Sequence, residues 1–464
     1  MNALPLLTPG PTLILGFTLL LSACAVSPDY TPPLAPGIPS TWQQKEGQAA
    51  IETGWLAAMN DPQLEKLVDE ALHNNHQLAA QNALLEQARQ QLIISGAPRI
   101  PELSAALNVS QRQIRTSGAR TTAKNIGLTL DLNWEIDLWG KLRDTQKQAA
   151  LSFAAREAEL EITRQQLVAA VGRAWYDVLE AQSLLTLYKH RLNNLGHNLD
   201  IIETGYRQGL NPALDLYLTR NSIQQDAART EAQQLVLAEA ARQLQLLLGR
   251  YPDGSDYPSQ PLPLVEGNIP AGLPSELISR RPELRSAWLD LMAADAGVAV
   301  SHKQRFPRLT ITGSTGQSSS ELKNLLTTEQ HFWSLAGGLL QPLFNAGELA
   351  AREEQARARL AQLEKQYLDN VYQAFAETET ALARENSLAA QYLHYLEAEK
   401  NALAAERLSF EQYQRGLLSY ATVLESQRRA FDAQSTVVQL RHQRLYNRIA
   451  LYTALGGSFD GEDS

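Results

Sequence analysis

From Ile126 to Leu138 the chain alternates apolar and polar side chains without a miss. Ile126, Leu128, Leu130, Leu132, Trp134, Ile136 and Leu138 form one face; Gly127, Thr129, Asp131, Asn133, Glu135 and Asp137 form the other. A period of two means a strand with one apolar and one wet face. A half-buried strand of a soluble sandwich would also alternate. Seven apolar positions backed by four carboxylate or amide side chains favour a transmembrane strand, with Asp131, Glu135 and Asp137 on a lumen wall. Leu103 to Val109 alternates more weakly, and Arg308 to Thr315 and His331 to Phe344 read as a second pair of strands. Gly313-Ser-Thr-Gly316 reads as an extracellular loop at a strand end. Trp134 would lie on the lipid face, with Trp139 and Trp333 placed for an interfacial girdle. Four strands cannot close a barrel, and open sheet edges are not tolerated in hydrocarbon. The chain must therefore supply staves to a shared barrel. Two chains would give eight strands and three would give twelve, and twelve leave more room for a pore.

The rest of the pattern is helical. No proline occurs from Lys141 to Gln208. The seam Leu167, Val171, Ala174, Val178, Ala181, Leu185, Tyr188, Leu192, Leu195, Leu199, Ile202, Tyr206 steps alternately by four and three, which is the coiled-coil repeat. Such a helix would reach roughly 100 Å at 1.5 Å per residue. A second helix is expected from Pro212 to Leu248, ended by Gly249. An earlier one should run from Asp61 to Ser95 and stop at Gly96 and Pro98. Six prolines from Pro252 to Pro274 mark a linker. The pattern then restarts: Leu78 answers Leu284, Pro101 answers Pro307, Tyr206 answers Tyr413 and Gly249 answers Gly456, at offsets of 206, 206, 207 and 207. A constant offset through helices, strands and breaks is a tandem duplication. The expected organisation is a first repeat over 61–250, a linker over 251–273, a second repeat over 274–457 and a tail over 458–464. Apart from narrow seams the helices are polar, as a tunnel wall wetted on both sides would be.

The N-terminus carries a short apolar run, Leu13 to Leu21, of about 9 residues where a membrane span needs roughly 20. It fits a signal-peptide core over 1–23, although residues 2–12 hold no Lys or Arg. Leu21-Ser22-Ala23-Cys24 resembles a bacterial lipobox, which makes Cys24 the lipidated first residue of a Pro-rich tether over 24–60. Ala25 after the Cys suggests sorting to the outer membrane. Cys24 is the single cysteine, so no intrachain disulfide forms. The net charge of −9, with no long single-sign block, argues against nucleic-acid binding.

Two helix breaks repeat each other: Tyr206-Arg-Gln-Gly209 and Tyr413-Gln-Arg-Gly416. A Gly near a helix end suits a C-cap, and Pro212 suits the start of the next helix. Together with Pro274-Ser-Glu-Leu-Ile-Ser-Arg-Arg-Pro-Glu-Leu284, Phe306-Pro307, Asp137-Leu-Trp-Gly-Lys141, Gln341-Pro-Leu-Phe-Asn-Ala-Gly347 and Asn60-Asp61-Pro62, these motifs resemble the TolC-like outer-membrane factors, in particular their efflux lipoprotein branch. Arg305, where many relatives carry Phe, is a departure read as neutral. The resemblance covers the mature chain and implies a mainly α-helical, tandemly duplicated, homotrimeric fold. A shared twelve-stranded barrel would sit in the outer membrane, and a helical barrel would cross the periplasm. It implies a passive duct, closed at its periplasmic tip and opened by a periplasmic adaptor (membrane fusion) protein and an inner-membrane pump of the resistance-nodulation-division or a similar type.

Carried over by residue, Tyr413 and Asp215 match a tip hydrogen-bonding pair, and Asp215 and Glu425 match acids ringing the constriction. Leu418 stands where some relatives have an interprotomer Arg, and Thr422 where some have a second acid. The gate is then expected to lean on packing by Tyr206, Leu210, Leu417 and Leu418. Type I protein secretion, and a pore-free periplasmic coiled-coil lipoprotein, remain alternatives. His73 and His76 share one helix face but have no third ligand nearby in sequence, and are read as solvated. No catalytic motif, metal site or cofactor is expected, and three methionines give no sign of a soft-metal relay. Substrates are not legible.

Overall fold

A computed structural model describes residues 39, 41–43, 54–116, 119–255, 257–265, 267, 272, 274–325 and 331–460. The signal segment, Cys24 and Ala25 lie outside them, as do most of the tether and parts of the linker and tail.

The elements run α1 (Trp55–Ala58), α2 (Pro62–Asn74), α3 (His76–Gly96), β1 (Glu102–Thr116), β2 (Ala119–Ile136), α4 (Lys141–Arg207), α5 (Ala213–Leu247), α6 (Pro274–Arg280), α7 (Pro282–Lys303), β3 (Arg308–Ser319), β4 (His331–Leu340), α8 (Glu348–Gln414) and α9 (Tyr420–Ala454). Among the described residues no helix is long and apolar enough to cross a membrane. The chain divides into two compact units. Among the described residues, one unit holds the sheet and lies within 84–157 and 286–368; the other lies within 35–83, 158–285 and 369–464.

In the first unit the strands pair antiparallel in the order β1-β2-β3-β4. The register puts the apolar residues of β2 on one face, although Gln317 of β3 opposes Leu128 there and Phe332 of β4 lies on the other face. Leu107 opposes Leu128, Leu130 opposes Thr315, Trp134 opposes Ile311, and Leu309 opposes Leu339 on the apolar side. On the other side Ser104, Asp131, Ser314 and Ser334 lie in one row. A slip of one residue would exchange the two faces. Three expectations about the strands need correction. β1 and β2 run well past the apolar alternation, to a Thr116↔Ala119 pair, because ladder hydrogen bonds do not require apolar side chains. Gly313 to Gly316 is not a loop but part of β3, paired with Leu132 to Thr129; a Cβ on Gly316 would lie 2.2 Å from the Leu128 carbonyl, so the missing side chain permits that close approach. β4 stops at Leu340, just before Gln341-Pro342, since proline has no N–H for a ladder. Trp333 is exposed on the apolar face. Trp139 instead donates to the Pro307 carbonyl at 2.7 Å and packs on Phe306.

In the second unit the duplication is visible as one joint made twice. α2 and α3 are separate helices rather than the single helix expected, with Asn75 in an extended conformation between them. Its Oδ1 accepts from the Leu78 N–H and its Nδ2 donates to the Leu247 carbonyl at 2.9 Å. At the equivalent place Arg281 separates α6 from α7 and donates from Nε to the Ala454 carbonyl at 2.7 Å. Each donor satisfies a carbonyl left over at a helix C-terminus. Each joint closes on a glycine of positive φ, Gly249 at 71° and Gly456 at 70°. A Cβ on Gly249 would meet the Asn74 carbonyl oxygen at 2.6 Å. Nearby, Trp55 stacks on Tyr452 at 5.8 Å, and buried Trp175 donates to Asp61, whose other oxygen caps α2.

Candidate functional site

Both helix breaks fold as Schellman turns. After α4, Gly209 takes φ 75°, its N–H bonds the Tyr206 carbonyl, and Leu210 N–H bonds Gly205. After α8, Gly416 takes φ 73°, its N–H bonds Tyr413, and Leu417 N–H bonds Gln412. The 5→2 and 6→1 pattern with a left-handed glycine stops a helix and satisfies its last carbonyls. Asn211 adds a side-chain donor to the Ile202 carbonyl.

Across these turns the hydroxyl of Tyr413 donates to Oδ2 of Asp215 at 2.9 Å. Asp215 is buried. Burial and the Asp215 carboxylate push the Tyr413 phenol well above its usual range, so it remains a proton donor at physiological pH. Beneath the pair lies an apolar cluster of Ile202, Leu216, Tyr420 and Val423, with Leu199, Phe410 and Leu424 packed on it. The rings of Tyr413 and Tyr420 are 5.2 Å apart.

The residues expected to pack the gate lie outside this cluster within the single chain. Tyr206, Leu210 and Leu417 are exposed, Leu210 at 76%, and Leu418 is half-buried. Tyr413 finds an acid in Asp215; the position equivalent to Asp215 in the second repeat is Thr422, hydrogen-bonded to Ser419 at the exposed turn. Glu425 is not a bare acid. Arg428 grips both its oxygens, at 2.9 and 3.0 Å, and Arg429 adds a bond at 2.8 Å. Those hydrogen bonds hold its carboxyl at about 2.

On the polar face of the sheet, Asp131 accepts from Ser314 and Thr129 at 2.7 and 2.8 Å. Glu135 pairs with Lys141 at 2.5 Å. Asp137 accepts from the Leu142 and Arg143 N–H groups, so it caps the start of α4, where a carboxylate complements the helix dipole. Of the three, Asp131 sits squarely within the polar row.

Sequence reading missed Asp177, Glu180 and His442, which bring one potential ligand atom each within 4.8 Å of one another. The acids on α4 and the histidine on α9 are too far apart in sequence for any spacing rule to join them. His442 Nε2 lies 2.7 Å from Asp177, and Nδ1 lies 3.4 Å from Glu180. Carboxylates on both ring nitrogens suit an imidazolium that donates twice. His73 uses its ring nitrogen on the Asp69 carbonyl of its own helix.

A duplicated chain of long helices with a four-stranded, two-faced sheet can be compared directly with known families. The profile described as "Outer membrane efflux protein" matches twice, over residues 67–250 and 273–457. The chain belongs to the outer membrane efflux protein family. It is 31% identical to the pyoverdine export outer membrane protein OpmQ of Pseudomonas aeruginosa, with 97% of each chain covered. It is 28% identical to the probable outer membrane lipoprotein SilC of Salmonella typhimurium, over 95% of this chain and 97% of that one. Among solved structures, CusC superposes with a TM-score of 0.85 at 27% identity, covering 94% of this chain and all of that one. The outer-membrane channel OprN superposes at 0.87 and 24% identity, with the same coverage. The fold is TolC-like. The protein is an outer-membrane efflux channel, and family members are transport channels rather than enzymes.

Proposed function

We propose that three copies of this chain form a passive duct that carries small toxic compounds from a periplasmic adaptor and an inner-membrane pump to the exterior. The observation that supports it is the sheet. β1 and β4 are its edges, one face is apolar, and neither edge is stable unpaired in hydrocarbon. Three sheets joined edge to edge give twelve strands and a lumen wide enough for water. The polar row through Asp131 then faces that lumen. In the trimer the two turns of each chain, Gly209 and Gly416, contribute to one ring of six, and Tyr413 with Asp215 holds the ring closed. Cys24 carries the lipid anchor. The names of the relatives, which speak of pyoverdine, cation and solvent export, favour small cargo over secreted protein. Native mass spectrometry of the purified protein should give three times the chain mass, and a dimer would contradict the twelve-stranded assembly. Loss of the protein should raise cellular accumulation of an efflux dye when the partner pump is present, and unchanged accumulation would count against the efflux role.

A further inference from the structure

The apolar band of β2 runs from Ile126 to Ile136. Ten steps of about 3.4 Å, tilted by about 45°, give a height of roughly 24 Å, close to the apolar band of outer-membrane barrels. The β1–β2 hairpin does not end there. It continues from Val109 and Ile126 to the Thr116↔Ala119 pair, roughly 24 Å farther along the strands. The strand ends that join helices face the periplasm, so this extension emerges on the outside.

The outward face of the extension changes character abruptly. On the face that carries Leu107 and Leu128, the next residues are Gln111, Gln113 and Arg115 on β1 and Lys124, Thr122 and Arg120 on β2. Arg115, Arg120 and Lys124 are exposed, and no Asp or Glu occurs between Leu103 and Leu130. Arg115 is paired directly with Arg120. Like charges directly opposite each other destabilise a ladder, and an anion lying across the pair would relieve that repulsion. Lys124 follows Ile126 on the same face, at the edge of the apolar band, where headgroups lie. Long basic side chains there can keep their stems on apolar surface and extend their charges into the polar layer.

We propose that Arg115, Arg120 and Lys124 form a binding surface for the phosphate groups of anionic glycolipid in the outer leaflet. The surface anchors each hairpin from outside by charge-assisted hydrogen bonds, with the guanidinium groups suited to bidentate phosphate contacts. The proposal depends on the strand register and outer-membrane placement, not on the duct being open or closed.

Its test uses full-length protein solubilised from outer membranes. Wild type and the R115Q/R120Q/K124Q variant are mixed with micelles containing bisphosphorylated lipid A or its dephosphorylated form, and bound lipid is counted by native mass spectrometry. Each basic side chain near an anionic surface strengthens attraction about fivefold. The triple change should therefore weaken binding of the phosphorylated lipid on the order of 100-fold. Wild type should also prefer the phosphorylated over the dephosphorylated lipid. R112Q, on the opposite face, should bind as wild type does. Equal binding of the two lipids by wild type, undiminished binding by the triple variant, or an equal loss in R112Q would each overturn the proposal.

Discussion

The hydroxyl of Tyr413 and the carboxylate of Asp215, 198 residues apart in sequence, meet at 2.9 Å. They come from opposite repeats, and the equivalent residues Tyr206 and Thr422 offer no second acid for a reciprocal pair. The polar half of the turn region is therefore single where the duplication could have made it double. A hydrogen bond to a charged group contributes about 1.5–3 kcal/mol. Tyr413→Phe should destabilise the closed turn by that order in each chain and raise entry of large antibiotics. Asp215→Asn, which keeps an acceptor, should have a smaller effect. Equal entry in Tyr413→Phe and wild type would show that the pair does not hold the turn.

Gly249 and Gly209 share a left-handed backbone but differ in their surroundings. A Cβ on Gly249 would lie 2.6 Å from the Asn74 carbonyl oxygen, whereas Gly209 faces open space. Gly209→Ala should cost only the strained conformation, about 1–2 kcal/mol. Gly249→Ala should cost more, because the α2–α3 joint must also move. Thermal melting followed by circular dichroism should rank Gly249→Ala below Gly209→Ala. The reverse order would contradict the packed joint.

His442 makes stability depend on pH. Burial opposes its charge, but the hydrogen bond to Asp177 and the Glu180 carboxylate together raise its pKa above 6.5. A pKa raised on folding gives stability that is full below the unfolded value of about 6.5 and is lost as pH rises through the folded value. The Glu180 carboxyl is also raised, by burial first, although His442 pulls it down. Its contribution falls with rising pH as well. His442→Gln should therefore lower the melting temperature more at pH 5.5 than at pH 8.5. An equal or larger loss at pH 8.5 would exclude the imidazolium.

Cys24 is the single thiol, which makes its modification simple to follow. Labelled palmitate should attach to wild type and not to Cys24→Ser. Label on neither protein would remove the anchor from the account.

Much of this fold was legible because its signals are periodic. The thirteen-residue alternation gave β2 its faces, and the proline-free stretch gave α4 within one residue of its observed end. The α2–α3 break was hidden because Asn75 is followed by His76, whereas the equivalent Arg281 is followed by Pro282 and so announces a helix end. The polar ends of β1 and β2 were missed because a ladder leaves no mark on hydrophobicity. At the turns, glycine and tyrosine were visible and Ile202 stood in the apolar seam, but the filling of the cluster by Tyr420 was not. The repeat equivalent of Tyr420 is Ala213, so duplication alone points away from it. Glu425 reads as a bare acid in isolation, but Arg428 and Arg429, one turn on, are its partners.

The proposed duct is water-filled and gated at the Tyr413–Asp215 turns. Single-channel recording in planar bilayers tests it most directly. Wild type should show discrete conductance, and Tyr413→Phe combined with Asp215→Ala should show a larger or more persistently open level. No conductance under any condition, in wild type and variant alike, would contradict the duct.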